Sequence, residues 1–110
     1  GDVLKAGDIT LDVGKRLLIR GEEKHWLSPK QFQLLHMLMS NPGQVLSRRQ
    51  LIRAIWDTDY MGDTRTLYVH VRWLRLKVEK DPSNPQYIRT VRGVGYRFTE
   101  PETGSPPTPG

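Results

Sequence analysis

The chain has 110 residues, enough for one modest hydrophobic core and too few for two sizeable domains. It contains no cysteine, which excludes disulfides, a thiol nucleophile and a cysteine zinc site, and no apolar run has the length of a membrane span. Lys and Arg number 17 against 12 Asp and Glu, and the net charge of +5 makes a polyanion the first partner to consider. Because the chain begins at Gly1 and shows no signal peptide, we expect a cytoplasmic piece of a longer protein.

The N-terminal quarter of the chain alternates between apolar and polar positions. Apolar residues lie two apart and glycines separate the runs: Ile9, Leu11 and Val13, then Leu17 and Ile19, with Gly7, Gly14 and Gly21 as separators. This pattern predicts three or four short antiparallel strands that form a small sheet.

Two helix starts follow, and both carry the same capping pattern. In SPKQ (28–31) and SRRQ (47–50), a Ser N-cap is followed three residues later by Gln, as in a capping box. The first helix should end at NPG (41–43), since proline cannot continue it. The expected buried faces are Phe32, Leu34, Leu35, Leu38 and Met39 in the first helix, and Leu51, Ile52 and Ile55 in the second.

The segment TRTLYVHVRWLRLKVEK (64–80) predicts a longer third helix, with Asp63 or Thr64 as its cap and DPSNP (81–85) as its end. One clean apolar stripe runs along it, formed by Leu67, Val71, Leu74 and Val78. The opposite face mixes cations with apolar bulk, namely Arg65, Val69, Arg72, Trp73 and Leu76. Such a face is unusual for plain solvent and indicates contact with another surface.

The last ordered segment is YIRTVRGVGYRFTE (87–100), in which β-branched and aromatic residues flank GVG (93–95). This composition predicts two strands joined by a glycine turn. The segment that follows has no apolar content to bury, so we expect one domain over residues 1–99 and a disordered tail over residues 100–110. A short helix, a basic helix and a hairpin in this order predict a helix-turn-helix with a wing, which can place one helix in the major groove of DNA.

Several motifs resemble one known family. DTRTLYVHVRWLRLKVE and IRTVRGVGYRF, together with LSPKQFQLL and NPGQVLSRRQL, are similar to the C-terminal effector domain of OmpR/PhoB-type response regulators of bacterial two-component systems. The resemblance spans residues 3–98. It implies an α+β winged helix-turn-helix with an N-terminal antiparallel four-stranded sheet, three helices and a C-terminal hairpin. It also implies an N-terminal receiver domain and a cognate sensor kinase for the full-length protein.

The resemblance assigns candidate DNA contacts position by position. In members of that family, the residues at six matching positions contact or lie near the DNA backbone, and in this chain those positions are Arg65, Thr66, His70, Thr90, Tyr96 and Trp56. Base or groove candidates are Val69, Arg72, Trp73, Arg75 and Arg92, with Arg92 in the minor groove. Many relatives carry Arg at the position of Trp73 and Asp at that of Tyr68, so the recognised DNA sequence does not transfer.

Ordinary structural roles compete with several of these assignments. His70 fits a half-buried helix residue, Trp73 a side chain folded against the wing, and Tyr96 a core residue with a bonded hydroxyl. Arg75 and Lys77 flank the apolar stripe, where solvated charge is the usual role. The wing glycines are better explained by turn formation than by a phosphate cradle.

The segment WDTDYMGD (56–63) is the most ambiguous. By resemblance, Asp57, Asp59 and Tyr60 lie in a loop that contacts RNA polymerase subunits, whereas Trp56 and Tyr60 could instead fill the junction between helices. An enzyme is disfavoured because no clustered carboxylates, ligand set or activated nucleophile is present, and we expect no metal or cofactor. An RNA-binding or protein-docking module is the other alternative, although the sheet offers no row of aromatics for single-stranded RNA. The leading expectation is binding of double-stranded DNA at direct-repeat half-sites.

Overall fold

An antiparallel four-stranded sheet opens the chain in the computed structural model, which describes residues 2–58, 62 and 64–101. Its strands are β1 (Val3–Ala6), β2 (Ile9–Asp12), β3 (Leu17–Arg20) and β4 (Glu23–Trp26), paired in that order. Leu11 and Leu18 face each other across β2 and β3, and both are fully buried. The predicted strands are confirmed, and β2 alternates as expected. In β3 the adjacent residues Leu17 and Leu18 are both buried and Ile19 is only partly covered, so the predicted pairing of Leu17 with Ile19 on one face is wrong.

Three helices follow: α1 (Pro29–Ser40), α2 (Arg48–Trp56) and α3 (Arg65–Val78). Both predicted capping boxes are present. Ser28 Oγ accepts from the backbone N–H of Gln31, and Ser47 Oγ accepts from that of Gln50, at 3.2 and 3.0 Å. Thr64, one of the two predicted caps of α3, occupies the N-cap position but makes no side-chain cap bond. The other, Asp63, lies outside the described residues.

The core forms where the helices meet both sheets. Leu67, Val71, Leu74 and Val78 are all at most 1% exposed, which confirms the predicted stripe of α3. The predicted faces of α1 and α2 are buried as well, except that Phe32 is only partly covered. No helix in the described part of the chain is long and apolar enough to cross a membrane.

A second sheet contains the wing and one strand that the sequence did not reveal. The hairpin strands β6 (Ile88–Val91) and β7 (Gly95–Phe98) pair as expected, and β5 (Val45–Ser47) adds to the far side of β7. The sheet order is therefore β5-β7-β6. Because β5 leads directly into α2, the wing is joined to the start of that helix.

A buried carboxylate fixes the path from α3 to the wing. Glu79, which is 2% exposed, accepts hydrogen bonds from the backbone N–H groups of Gln86, Tyr87 and Ile88 at 2.8–3.2 Å. Arg20 donates to the backbone oxygen of Glu79 at 2.7 Å. The three backbone N–H donors satisfy a carboxylate that would be costly to bury alone, and they set where β6 begins relative to α3.

Candidate nucleic-acid interface

The outer face of α3 is solvent-exposed and mixed in character. Val69, Trp73 and Leu76 are 39%, 46% and 58% exposed, although all three are large apolar side chains. Arg65 and Arg72 are also exposed on this helix. Trp73 is therefore not a core residue, and the cations and apolar groups predicted to share this face do so.

An aromatic row crosses from the end of α2 to this face. The ring of His70 contacts Trp56 edge-on at 5.1 Å between centroids and Trp73 at 5.2 Å. His70 Nδ1 lies 2.8 Å from the Thr66 carbonyl oxygen, and because a carbonyl only accepts, this contact is a hydrogen bond when Nδ1 carries a proton. Lys30 lies 5.9 Å from the Trp56 ring and places a further cation beside the row.

The wing turn presents a cation at its tip. Arg92 and Val94 are exposed in the turn between β6 and β7, where Gly93 has φ +77°, a conformation that favours glycine. The backbone N–H of Arg48 donates to the Val94 carbonyl at 3.1 Å. The turn is thus held against the first residue of α2.

A cleft of about 220 Å³ separates the wing from the starts of α2 and α3. It is lined by Arg48, Tyr68, Thr90, Val91, Arg92, Gly93, Gly95 and Tyr96. This lining offers two guanidinium groups and three hydroxyl-bearing side chains, and it includes no carboxylate. Such a set of donors suits an anion.

The phenols in this cleft differ in environment. The pKa of exposed Tyr68 is lowered, mainly by a hydrogen bond with the Thr64 side chain and to a smaller extent by the charge of Arg48. This bond also occupies the hydroxyl that was expected to cap α3. Burial raises the pKa of Tyr96, which is only 6% exposed. Tyr96 therefore packs in the core as well as lining the cleft.

Arg75 and Lys77 are held by specific partners. The Arg75 guanidinium donates to the Ile88 carbonyl at 2.8 and 3.1 Å and to Thr90 Oγ1 at 2.8 Å, and it lies 5.7 Å from the Tyr96 ring. Burial lowers the pKa of Arg75. Lys77 donates to the Trp26 carbonyl and to Gln31 Oε1 at 3.1 and 2.9 Å, so the expectation of a solvated charge is wrong for it.

The segment between α2 and α3 is described only in part. Trp56 is the last residue of α2 and packs partly buried against the core, so it belongs to the helix rather than to the loop. Asp57 follows it, exposed and with φ +53°. Asp59 and Tyr60, the other residues predicted to contact polymerase, lie outside the described residues.

Sequence reasoning missed Arg48, which it treated only as part of a capping box. A signal was available, because a cation in the first turn of a helix opposes the helix dipole and no acidic residue is present in that turn. A residue that the local electrostatics disfavour is a candidate for binding an anion. The placement of Tyr68 beside it could not be read from the sequence.

Comparison with known proteins agrees with this architecture. The family model described as the C-terminal domain of transcriptional regulatory proteins matches residues 21–98. A probable transcriptional regulatory protein of Picosynechococcus is 57% identical over 76% of this chain and 33% of its own length. The sensory transduction protein RegX3 of Mycolicibacterium smegmatis is 50% identical over 87% of this chain and 42% of its own length. The chain thus spans less than half the length of these relatives.

Solved structures show the same fold. The RstA DNA-binding domain of Klebsiella pneumoniae, in complex with the RstA box, superposes with a TM-score of 0.81 at 30% identity, covering 90% of this chain and 98% of that one. The response regulator DrrB of Thermotoga maritima, an OmpR/PhoB homolog, gives a TM-score of 0.80 at 30% identity, covering 88% of this chain and 44% of that one. Fold, motifs and relatives together show that the chain belongs to the family of C-terminal DNA-binding domains of OmpR/PhoB-type response regulators.

Proposed function

We propose that the domain reads double-stranded DNA with α3 in the major groove and the wing turn in the minor groove. The observation that carries this proposal is the cleft described above, which brings the first half of α3 and the wing together around one basic space. Two elements on one side of the molecule can contact adjacent grooves of one duplex. The groove widths suit a helix on one side and a single arginine on the other.

In this arrangement the exposed face of α3 meets base edges and its flanks meet phosphates. Arg72 forks onto a guanine edge, while Val69 and Trp73 contact thymine methyl groups. The phosphate contacts come from Arg65, Thr66, His70 and Trp56 on the helices and from Thr90 and Tyr96 on the wing. Arg92 enters the minor groove, where negative potential is highest in A·T-rich sequence.

The full-length protein is proposed to act as a two-component transcription regulator. A receiver domain that a cognate sensor kinase phosphorylates would precede this domain, and two copies would bind direct-repeat half-sites. The exposed carboxylate of Asp57, with Asp59 and Tyr60, would contact RNA polymerase subunits. These partners rest on the resemblance, and the relatives' greater length is consistent with an additional domain.

The decisive experiment is selection of bound sequences from a random duplex pool, followed by titration of the selected duplex at several salt concentrations. If about five counterions are released from the duplex on binding, the logarithm of affinity should fall by roughly four to five per tenfold rise in salt. Duplex RNA of the same sequence should compete poorly, because its deep major groove excludes a helix. A salt slope near zero, or equal competition by RNA, would contradict the proposal.

A further inference from the structure

A second basic cavity adjoins the wing strand β6. We call it the β6 pocket, and it measures about 470 Å³ and is lined by Arg75, Pro82, Ser83, Pro85, Arg89, Thr90 and Arg97. β6 is an edge strand of its sheet, and the pocket lining combines it with the neighbouring strand β7 and with α3. Three guanidinium groups surround it, and its lining includes no carboxylate.

The arginines of this pocket lie close enough for their positive charges to repel one another. Arg89 and Arg97 are direct partners across β6 and β7, and like charges directly opposite each other destabilise a sheet. Arg75 adds a third positive charge from α3. An anion between these groups would convert a repulsion into an attraction.

No carboxylate that the structure describes is a hydrogen-bond or ion-pair partner of these arginines, although the charge of Glu79 acts on Arg75. Arg75 donates to a carbonyl and a hydroxyl, and Arg89 donates to Thr99 Oγ1 and Gln86 Oε1, all of them neutral acceptors. Among the described residues, no hydrogen-bond or ion-pair partner of Arg97 is found, and its buried Nε lacks an acceptor. In the described part of the chain, Arg97 is thus a cation without a neutralising partner.

We propose that the β6 pocket binds a phosphate group, held between Arg89 and Arg97 and bordered by Arg75. The planar guanidinium fork matches phosphate oxygens, which explains the use of arginine at all three positions. Thr90 lines both this pocket and the cleft between α3 and the wing. A DNA backbone that passes the wing therefore supplies the nearest phosphate, a source that rests on the proposed function. Free phosphate has the same chemistry and is the second source to test.

The first experiment follows the side-chain Nε–H resonance of Arg97 by NMR in the unmodified domain. The probes are inorganic phosphate, compared with chloride at equal ionic strength, and the selected duplex. We expect saturable shifts of the Arg97 resonance with at least one probe, and loss of the phosphate response in Arg89→Gln. If neither probe moves this resonance although the domain binds the duplex, the pocket proposal is overturned and the proposed function stands.

The second experiment distinguishes the two sources. If a DNA phosphate fills the pocket, Arg97→Gln and Arg89→Gln should each flatten the salt slope of duplex binding by roughly 0.9. Lys24→Gln, which removes an exposed charge on β4, is the matched control and should keep the wild-type slope. An unchanged slope together with shifts in inorganic phosphate identifies the free anion as the ligand. If the wild-type domain does not bind duplex DNA, the proposed function fails, and the phosphate titration alone decides the pocket.

Discussion

Arg75 Nη2 donates a hydrogen bond of 2.8 Å to Thr90 Oγ1, and this bond joins α3 to the wing strand β6. The same guanidinium donates twice to the carbonyl of Ile88. The helix proposed for the major groove and the hairpin proposed for the minor groove are therefore linked by one side chain.

Replacement of Arg75 should weaken both stability and DNA binding. Arg75→Ala removes charged hydrogen bonds from a half-buried site, and we expect it to lower the free energy of unfolding by about 1.5–3 kcal/mol. Arg75→Lys should recover only part of the lost free energy of unfolding, because an ammonium group lacks the guanidinium fork. Urea unfolding measures this, with exposed Arg72→Ala as the control, expected within about 0.5 kcal/mol of wild type. Equal stability of Arg75→Ala and wild type would show that these hydrogen bonds do not stabilise the fold.

Gly95 is required by the close approach of β5 to β7. A Cβ at this position would lie 2.9 Å from Ser47 Cα and would also overlap the backbone of Leu46. Gly95→Ala should therefore separate these strands and cost about 1–3 kcal/mol of stability. Gly14→Ala is the matched control, because the nearest atom to its Cβ would be Asp12 Oδ1 at 3.7 Å. Thermal melts of both variants test this, and similar melting temperatures would contradict the packing argument.

The local features of the fold could be predicted from the sequence because their signals lie within a few residues. A capping box spans four positions, and the stripe of α3 follows from helical spacing alone. The strand β5 could not be predicted in this way. It has three residues, too few to show alternation, and it pairs with a partner about fifty positions away.

For the candidate site, too, the local features could be predicted from the sequence and those that depend on tertiary packing could not. The sequence placed Arg92 in a turn and Trp73 off the apolar stripe of α3, because turn residues and helical spacing are local signals, but it left open that Trp73 folds against the wing. It gave burial of Tyr96 only as an alternative and could not show that Arg75 turns toward the wing, since both depend on where the hairpin packs against α3. Whether the predicted residues touch DNA remains a prediction.

Tyr87 should make stability depend on alkaline pH. Burial, and after it the hydrogen bond to Asp8, raise the pKa of Tyr87 from 10.0 to about 12. Below pH 10 both the folded and unfolded states hold this proton, and the contribution to stability is complete. Between about pH 10 and 12 the unfolded state loses the proton first, so stability falls as pH rises.

The Tyr87→Phe variant isolates this effect. It lacks the ionisable hydroxyl, so its free energy of unfolding should decline less steeply than that of wild type across the same pH range. Ionisation of lysines and other tyrosines is common to both proteins and cancels in the comparison. Urea unfolding at several alkaline pH values provides the measurement. Equal slopes of the free energy of unfolding against pH in the two proteins would contradict the prediction.

Arg92 should contribute to binding of every duplex. Its exposed side chain at the wing tip is proposed to follow the minor groove, whose width rather than its base pattern sets the contact. Arg92→Ala should weaken selected and scrambled duplexes alike, lose more affinity when the flanks are A·T-rich, and flatten the salt slope by about one. Fluorescence titration with two flanking sequences tests this. A loss confined to the selected duplex would instead indicate base reading by Arg92.

Replacement of Trp73 should affect binding differently from replacement of Arg92, because Trp73 lies on the outer face of α3 and is proposed to contact bases. Trp73→Ala should lose roughly 1–3 kcal/mol of binding on the selected duplex and little on a scrambled one. Its neighbour Leu74 is fully buried, and Leu74→Ala should cost roughly 2–5 kcal/mol of stability by leaving a cavity. Titration of both variants against both duplexes, with thermal melts alongside, separates recognition from folding. If Trp73→Ala melts as low as Leu74→Ala, the exposed indole stabilises the fold, and its assignment to base recognition is wrong.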